Sequence, residues 1–180
     1  MAILVNHLLS TGFSSEDAAN IVYAAEDGVP PSATELGVLN QFTAAQYAYG
    51  QQIGVMDPAI YAYQALGVAL ASTAAHFQNT FGPFNRTYPA SPVGDAQFVT
   101  DAYSSIFGHP GTPAQVQHFV DRLSFFETLY TAAGGFGTAS NIDLLSRGAI
   151  YGQMLGVEHA AAPVVGVSST SSITLEQIFL

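Results

Sequence analysis

The side chains able to do chemistry are few and widely separated. The five histidines, His7, His76, His109, His118 and His159, stand in five separate contexts. None lies four residues from another, so a zinc site would have to be assembled by tertiary contacts. His109, in Gly108-His109-Pro110, or a tyrosine with a histidine, can supply axial ligands to haem in a small secreted carrier. The alternative is an ordinary turn histidine before proline. Carboxylates Asp95, Asp101, Asp121, Glu127 and Asp143 are scattered, and whether any two form a glycosidase pair depends on a separation that only geometry supplies. Asp57, Asp95 and Asp143 fall near expected helix starts, where a negative charge complements the helix dipole. No Gly-x-Ser-x-Gly elbow occurs, and a chain without lysine cannot build a phosphate-binding loop of the Gly-Lys type. No catalytic motif is present, so the chain is not expected to be an enzyme.

Aromatic side chains offer more. There are nine tyrosines and twelve phenylalanines but no tryptophan. Tyr47 and Tyr49, and Tyr61 and Tyr63, form two Tyr-x-Tyr pairs whose members point about 200° apart on a helix, so one of each pair is expected to face outward. Exposed tyrosines suit sugars or subunit contacts. The stretch Phe81-Gly82-Pro83-Phe84-Asn85-Arg86-Thr87-Tyr88 gathers aromatics around a lone arginine. Phe84, Asn85, Arg86 and Tyr88, with Tyr61 and His109, are the expected ligand or interface residues.

Helix signals frame these residues. Ser14 with Asp17 resembles a capping box for a helix ending at Asp27-Gly28. After Pro30-Pro31, Ser32 with Glu35 repeats the pattern before Leu36, Leu39, Phe42 and Tyr47, with a kink or break expected near Thr43. Asp57-Pro58 opens a helix predicted to reach about Asn79, whose small residues allow close approach. Gly82 to Gly94 reads as a long loop. Phe98, Val99, Ala102, Ile106 and Phe107 then recur at helical spacing up to Gly108. Thr112-Pro113 starts another helix, with Val116, Phe119, Val120, Leu123, Phe126 and Tyr130 on its apolar stripe and Gln115, Asp121, Arg122 and Glu127 opposite. Beyond Gly134-Gly135-Phe136-Gly137, a last helix over about Ser140 to Leu155 carries Ile142, Leu145, Ala149 and Met154. The expected architecture is all-α: an irregular multi-helix bundle over residues 1–158 with an extended tail over 159–180.

Composition narrows the partners. Hydrophobic residues make up 49% and charged residues 9% of the 180 residues, which excludes a disordered chain and suits one core. Thirteen acidic groups face three arginines, Arg86, Arg122 and Arg147, and the formal net charge is -10. Such a chain repels nucleic acid and anionic membranes; calcium, or neutral and cation-bridged sugars, fit better. The uncharged run from Pro58 to Asn85 is long, but Gln64, Ser72, Thr73, His76 and Gln78 interrupt it, so it reads as a buried helix rather than a transmembrane span. Cysteine is absent, which removes disulfides and thiolate chemistry. The sparse charge also leaves a surface that tolerates self-association.

The run Phe98-Val99-Thr100-Asp101-Ala102-Tyr103-Ser104-Ser105-Ile106-Phe107-Gly108-His109-Pro110, followed by the Thr112-Pro113 helix and the Asn141-Ile142-Asp143 start, resembles the helical modules of large type I-secreted bacterial surface proteins. It is similar to the anchoring region of alphaproteobacterial S-layer proteins of the RTX type. The resemblance covers roughly Thr43 to Gly156. It departs at His109, where an arginine is usual, and at Gly111-Thr112-Pro113-Ala114. Gly134-Gly135-Phe136-Gly137-Thr138 starts like a calcium-binding repeat, but Ala139 stands in place of the liganding aspartate, so no calcium roll is expected. The resemblance implies export by a type I ABC exporter with an uncleaved signal at the carboxyl end. Leu175, Glu176, Ile178, Phe179 and Leu180 look similar to such a signal, a docked terminal strand or helix being the alternative. The expected protein is an extracellular, non-enzymatic surface or matrix component that self-assembles as an oligomer, lattice or filament, or anchors to cell-surface polysaccharide. The alternative is a small secreted ligand carrier, with haem the first ligand to consider.

Overall fold

The computed structural model describes residues 32–83 and 86–161, the side chains of Leu36 and of residues 158–161 excepted. Among the described residues there are six helices and no strand: α1 (Ala33–Ile53), α2 (Pro58–Thr73), α3 (Ala75–Phe81), α4 (Pro92–Phe107), α5 (Pro113–Ala133) and α6 (Ala139–Ala161). The chain is all-α, as its capping and spacing imply. The capping-box helix expected over 14–27 lies outside the described residues. So does the tail beyond 161, while α6 stays helical past the boundary expected at residue 158.

Most boundaries follow from side chains that satisfy helix-end amides. Ser32 and Glu35 form a reciprocal capping box on α1, and Thr112 and Gln115 form one on α5. Asp57 caps α2, accepting from the amides of Ala59 and Ile60 at 3.0 Å, with Pro58 at a position where its missing donor costs nothing. Gly108 ends α4 in the left-handed conformation at φ 70°.

The first two long helices differ from the sequence reading. α1 runs without a break through Thr43, whose side chain is buried and whose hydroxyl donates to the Leu39 carbonyl at 2.7 Å. The helix expected to reach Asn79 instead breaks at Ala74, which is extended at φ -84° and ψ 110°. Ser72 and Thr73 both donate back to carbonyls four residues earlier, Val68 and Ala69, a competition that weakens a helix end. The Gln78 amide spans the break to the Ala71 carbonyl at 2.9 Å. The redirected α3 inserts Phe77 and Phe81 against Tyr151, with ring centroids 5.4 and 5.6 Å away.

α6 is the axis of the fold. Every residue from 143 to 157 is buried, so this helix is enclosed on all faces rather than along a single stripe. Its most extensive partner is α2. The closeness comes from Gly148, Gly152 and Gly156, spaced four apart, facing Tyr63, Gly67 and Ala71. A Cβ on Gly67 would lie 2.8 Å from the Gly152 amide nitrogen, and one on Gly148 would lie 2.6 Å from the Ala71 Cβ. Small residues at this spacing let two helix backbones touch, as in small-xxx-small packing. α1 covers the far side of α2, and α4 and α5 cover α6.

Candidate metal centre

The site is organised by Arg147, a guanidinium with no solvent exposure in the middle of α6. Nη1 donates to the carbonyls of Phe81 and Tyr88, each at 2.8 Å. Nη2 donates to the Pro89 carbonyl at 3.3 Å and to Asp95 Oδ1 at 2.8 Å. Nε lies 2.9 Å from Asp143 Oδ1, one helical turn back, as an ion pair. The Phe98 ring lies 5.6 Å from the cation. One side chain thus ties both ends of the connection between α3 and α4 to the central helix, and the connection brings Asp95 with it. That connection closes earlier than expected, at Ser91, whose hydroxyl accepts from the Gly94 amide at 3.2 Å. Asp95 therefore sits in the first turn of α4.

Asp95 from α4, Glu127 from α5 and Asp143 from α6 converge, with ligand oxygens all within 4.8 Å of one another. Asp143 is 5% exposed, and its Oδ2 has no hydrogen-bond partner among the described residues. The three carboxylates line a pocket of about 630 Å³ that opens to solvent, with the hydroxyl residues Ser91, Ser124, Thr131 and Ser140 around them. Along α5, Val120, Ser124, Glu127 and Thr131 form the pocket stripe. Glu127, expected on a solvent-facing side with Asp121, is half-buried here because that side of α5 leans over α4 and α6.

Fully ionised, three carboxylates and one guanidinium leave two negative charges uncompensated. Burial, reinforced by Asp95 and Asp143, pushes the Glu127 carboxyl up to about 7. Burial also pushes Asp143 up to about 6 against the opposing pull of Arg147. Asp95 is raised too, because desolvation outweighs its bond to the same guanidinium. The cluster therefore holds protons near neutrality, or it can hold a metal ion. All donors are oxygens, which selects a hard cation over zinc or copper.

The residues expected to form a ligand site are described only in part. Phe84 and Asn85 lie outside the described residues, as do Leu175, Glu176, Ile178, Phe179 and Leu180. Arg86 is exposed. Tyr88 is buried between Phe81 and Phe98, and its hydroxyl donates to Asp101 Oδ2 at 2.9 Å, so it anchors the connection instead of presenting a ring to solvent. Burial, with the Asp101 bond, pushes the Tyr88 hydroxyl up to about 12. His109 stands exposed in the turn between α4 and α5, with Nδ1 3.1 Å from the Pro110 carbonyl oxygen. Among the described residues no histidine joins a metal-binding group. The Tyr-x-Tyr alternation is present: Tyr47 and Tyr63 are buried, Tyr49 is 50% exposed and Tyr61 is half-buried, with its ring centroid 6.3 Å from that of Tyr49.

Sequence reasoning missed the centre, although one signal pointed to it: Asp143 and Arg147 are the only charges between residues 139 and 157 and stand one turn apart. No helix among the described residues is long and apolar enough to cross a membrane. No protein-family model matches this chain, and no curated protein and no solved structure is significantly similar to it.

Proposed function

We propose that this chain is a non-enzymatic helical module of an extracellular surface or matrix protein that holds calcium in its acidic pocket. The observation that carries this reading is the convergence of Asp95, Glu127 and Asp143 from three helices around one guanidinium. A divalent cation neutralises the two uncompensated charges, and calcium tolerates the irregular set of carboxylate, hydroxyl and water oxygens that such a pocket offers. Arg147 cancels one of the three charges and the pocket is open, so affinity falls in the range of extracellular calcium modules, about 0.1–1 mM. Such a site fills only where calcium is abundant, outside the cell. The same location agrees with the acidic, cysteine-free composition and with the resemblance to type I-secreted surface proteins.

Self-association or docking on polysaccharide is the companion role. Val38, Tyr49 and Ile53 are 62%, 50% and 49% exposed and share one face of α1 by their spacing, an apolar stripe of the kind that marks contact surfaces. Calorimetric titration of the full chain with calcium chloride, alongside light scattering with and without calcium, tests the proposal. Saturable binding near 1 mM is expected for the parent, about tenfold or more weaker in Asp143→Asn. An absence of binding at about 10 mM calcium, or equal binding in the variant, would overturn it.

A further inference from the structure

α5 presents a second stripe to the other side of the bundle. Arg122, Phe125, Phe126, Leu129 and Tyr130 face α1 and α2 across a groove of about 450 Å³, whose opposite wall includes Phe42, Tyr61 and Val68. This volume lies within the range of small-molecule sites, about 300–1,000 Å³. The groove is mainly apolar, its polar side chains being two glutamines, two tyrosines and one cation. Phe125 and Leu129, at 50% and 45% exposed, leave apolar surface open to solvent.

Arg122 is the anomaly. Its guanidinium lies 4.9 Å from the Phe125 ring centroid and 5.3 Å from that of Phe126. No carboxylate pairs with it among the described residues, where both ion pairs belong to Arg147. Its Nε is enclosed without a hydrogen-bond partner. Neighbouring Asp121 points elsewhere, accepting from the Gln117 amide at 2.8 Å. Desolvation lowers the Arg122 pKa without neutralising the group. In a chain of net charge -10, a half-buried arginine that no described carboxylate pairs, held against aromatic rings, offers a charge-assisted donor to an external acceptor.

We infer that this groove is a binding site for an amphiphilic carboxylate, the carboxylate taken by the Arg122 guanidinium and the apolar body laid over Phe42, Val68, Phe126 and Tyr130. A guanidinium matches a carboxylate through two parallel N–H donors, and the aromatic floor holds it in place. A neutral molecule of the same shape fills the groove but leaves the cation unsatisfied, so the site discriminates by charge. The site shares no residue with the acidic pocket and does not depend on calcium.

The test uses the full chain with dodecanoate below its micellar concentration, and dodecanol as the neutral counterpart, read by calorimetry and by displacement of a fluorescent naphthalene sulfonate. Saturable dodecanoate binding is expected, with dodecanol at least tenfold weaker. Arg122→Met, which keeps the packing of the stem over the rings, is expected to lose dodecanoate affinity by tenfold or more at unchanged helical circular dichroism. Ala65→Phe, which narrows the groove while retaining the cation, is expected to weaken both ligands. No saturable binding to the parent, equal affinity for acid and alcohol, or full dodecanoate binding by either variant would each overturn the inference.

Discussion

Glu127→Gln is the perturbation that most directly tests the charge balance of the acidic pocket. The Glu127 carboxyl is raised from 4.5 to about 7 by burial and by its two acidic neighbours. At about 1.4 kcal/mol per pH unit, that shift sets a ceiling of roughly 3 kcal/mol on the cost of ionising it in the folded state. The side chain is half open to solvent, which screens the interaction and reduces the figure to about 1–2 kcal/mol. The sign follows from the direction of the shift. The folded state binds the proton more tightly than the unfolded chain, so stability is fully present below about pH 4.5 and is lost as pH rises through about 7. Asp143, raised to about 6, adds a contribution of the same sign. In calcium-free buffer the thermal midpoint is expected to fall by about 3–8 °C between pH 5 and pH 8 from Glu127 alone. Calcium at several times its dissociation constant restores most of the loss at pH 8. Glu127→Gln carries no charge to desolvate, so its midpoint declines less steeply and responds less to calcium. Differential scanning calorimetry of both proteins at the two pH values, with chelator or calcium, gives the comparison. A parent whose calcium-free midpoint rises from pH 5 to pH 8, or a variant with the parent's slope, would refute the reasoning.

Two further outcomes concern the frame around the pocket. Arg147→Met leaves Asp95 and Asp143 without their cation and three carbonyls without their donor, and urea unfolding is expected to show a loss of about 3–5 kcal/mol. Gly152→Ala drives a Cβ into the Tyr63 carbonyl of α2, and because backbone cannot move aside as a side chain can, a loss of about 3 kcal/mol is expected. Gly37→Ala, with nothing within 4 Å of the added carbon, is its control and is expected to stabilise α1 by about 0.5–1 kcal/mol.

Much of the helical frame was legible because it rests on local chemistry. Ser32 with Glu35, Asp57 with Pro58, and Thr112 with Pro113 each announce a helix start through a side chain that satisfies amides within three residues of itself. The break at Ala74 was less visible: it depends on whether Ser72 and Thr73 donate to their own helix, and on Gln78 reaching back across seven residues. The acidic pocket was hidden for a stronger reason. Asp95, Glu127 and Asp143 are 32 and 16 residues apart along the chain, and each alone resembles a solvated or helix-capping acid. The Tyr-x-Tyr pairs were half legible, since helical geometry sends one ring inward but does not say which.

Local residue preferences and composition determined that this chain is helical, where most helices begin and end, and that its surface is acidic and sparing of charge. These properties depend on neighbours within a turn or two, so periodicity records them. Only the tertiary structure decided which charges meet. It placed one arginine among three carboxylates and set another over aromatic rings with no carboxylate partner among the described residues, on two sides of the same helix α5. Two stripes about 160° apart on one cylinder read alike in sequence until it is known that α4 and α6 lie against one, and α1 and α2 against the other.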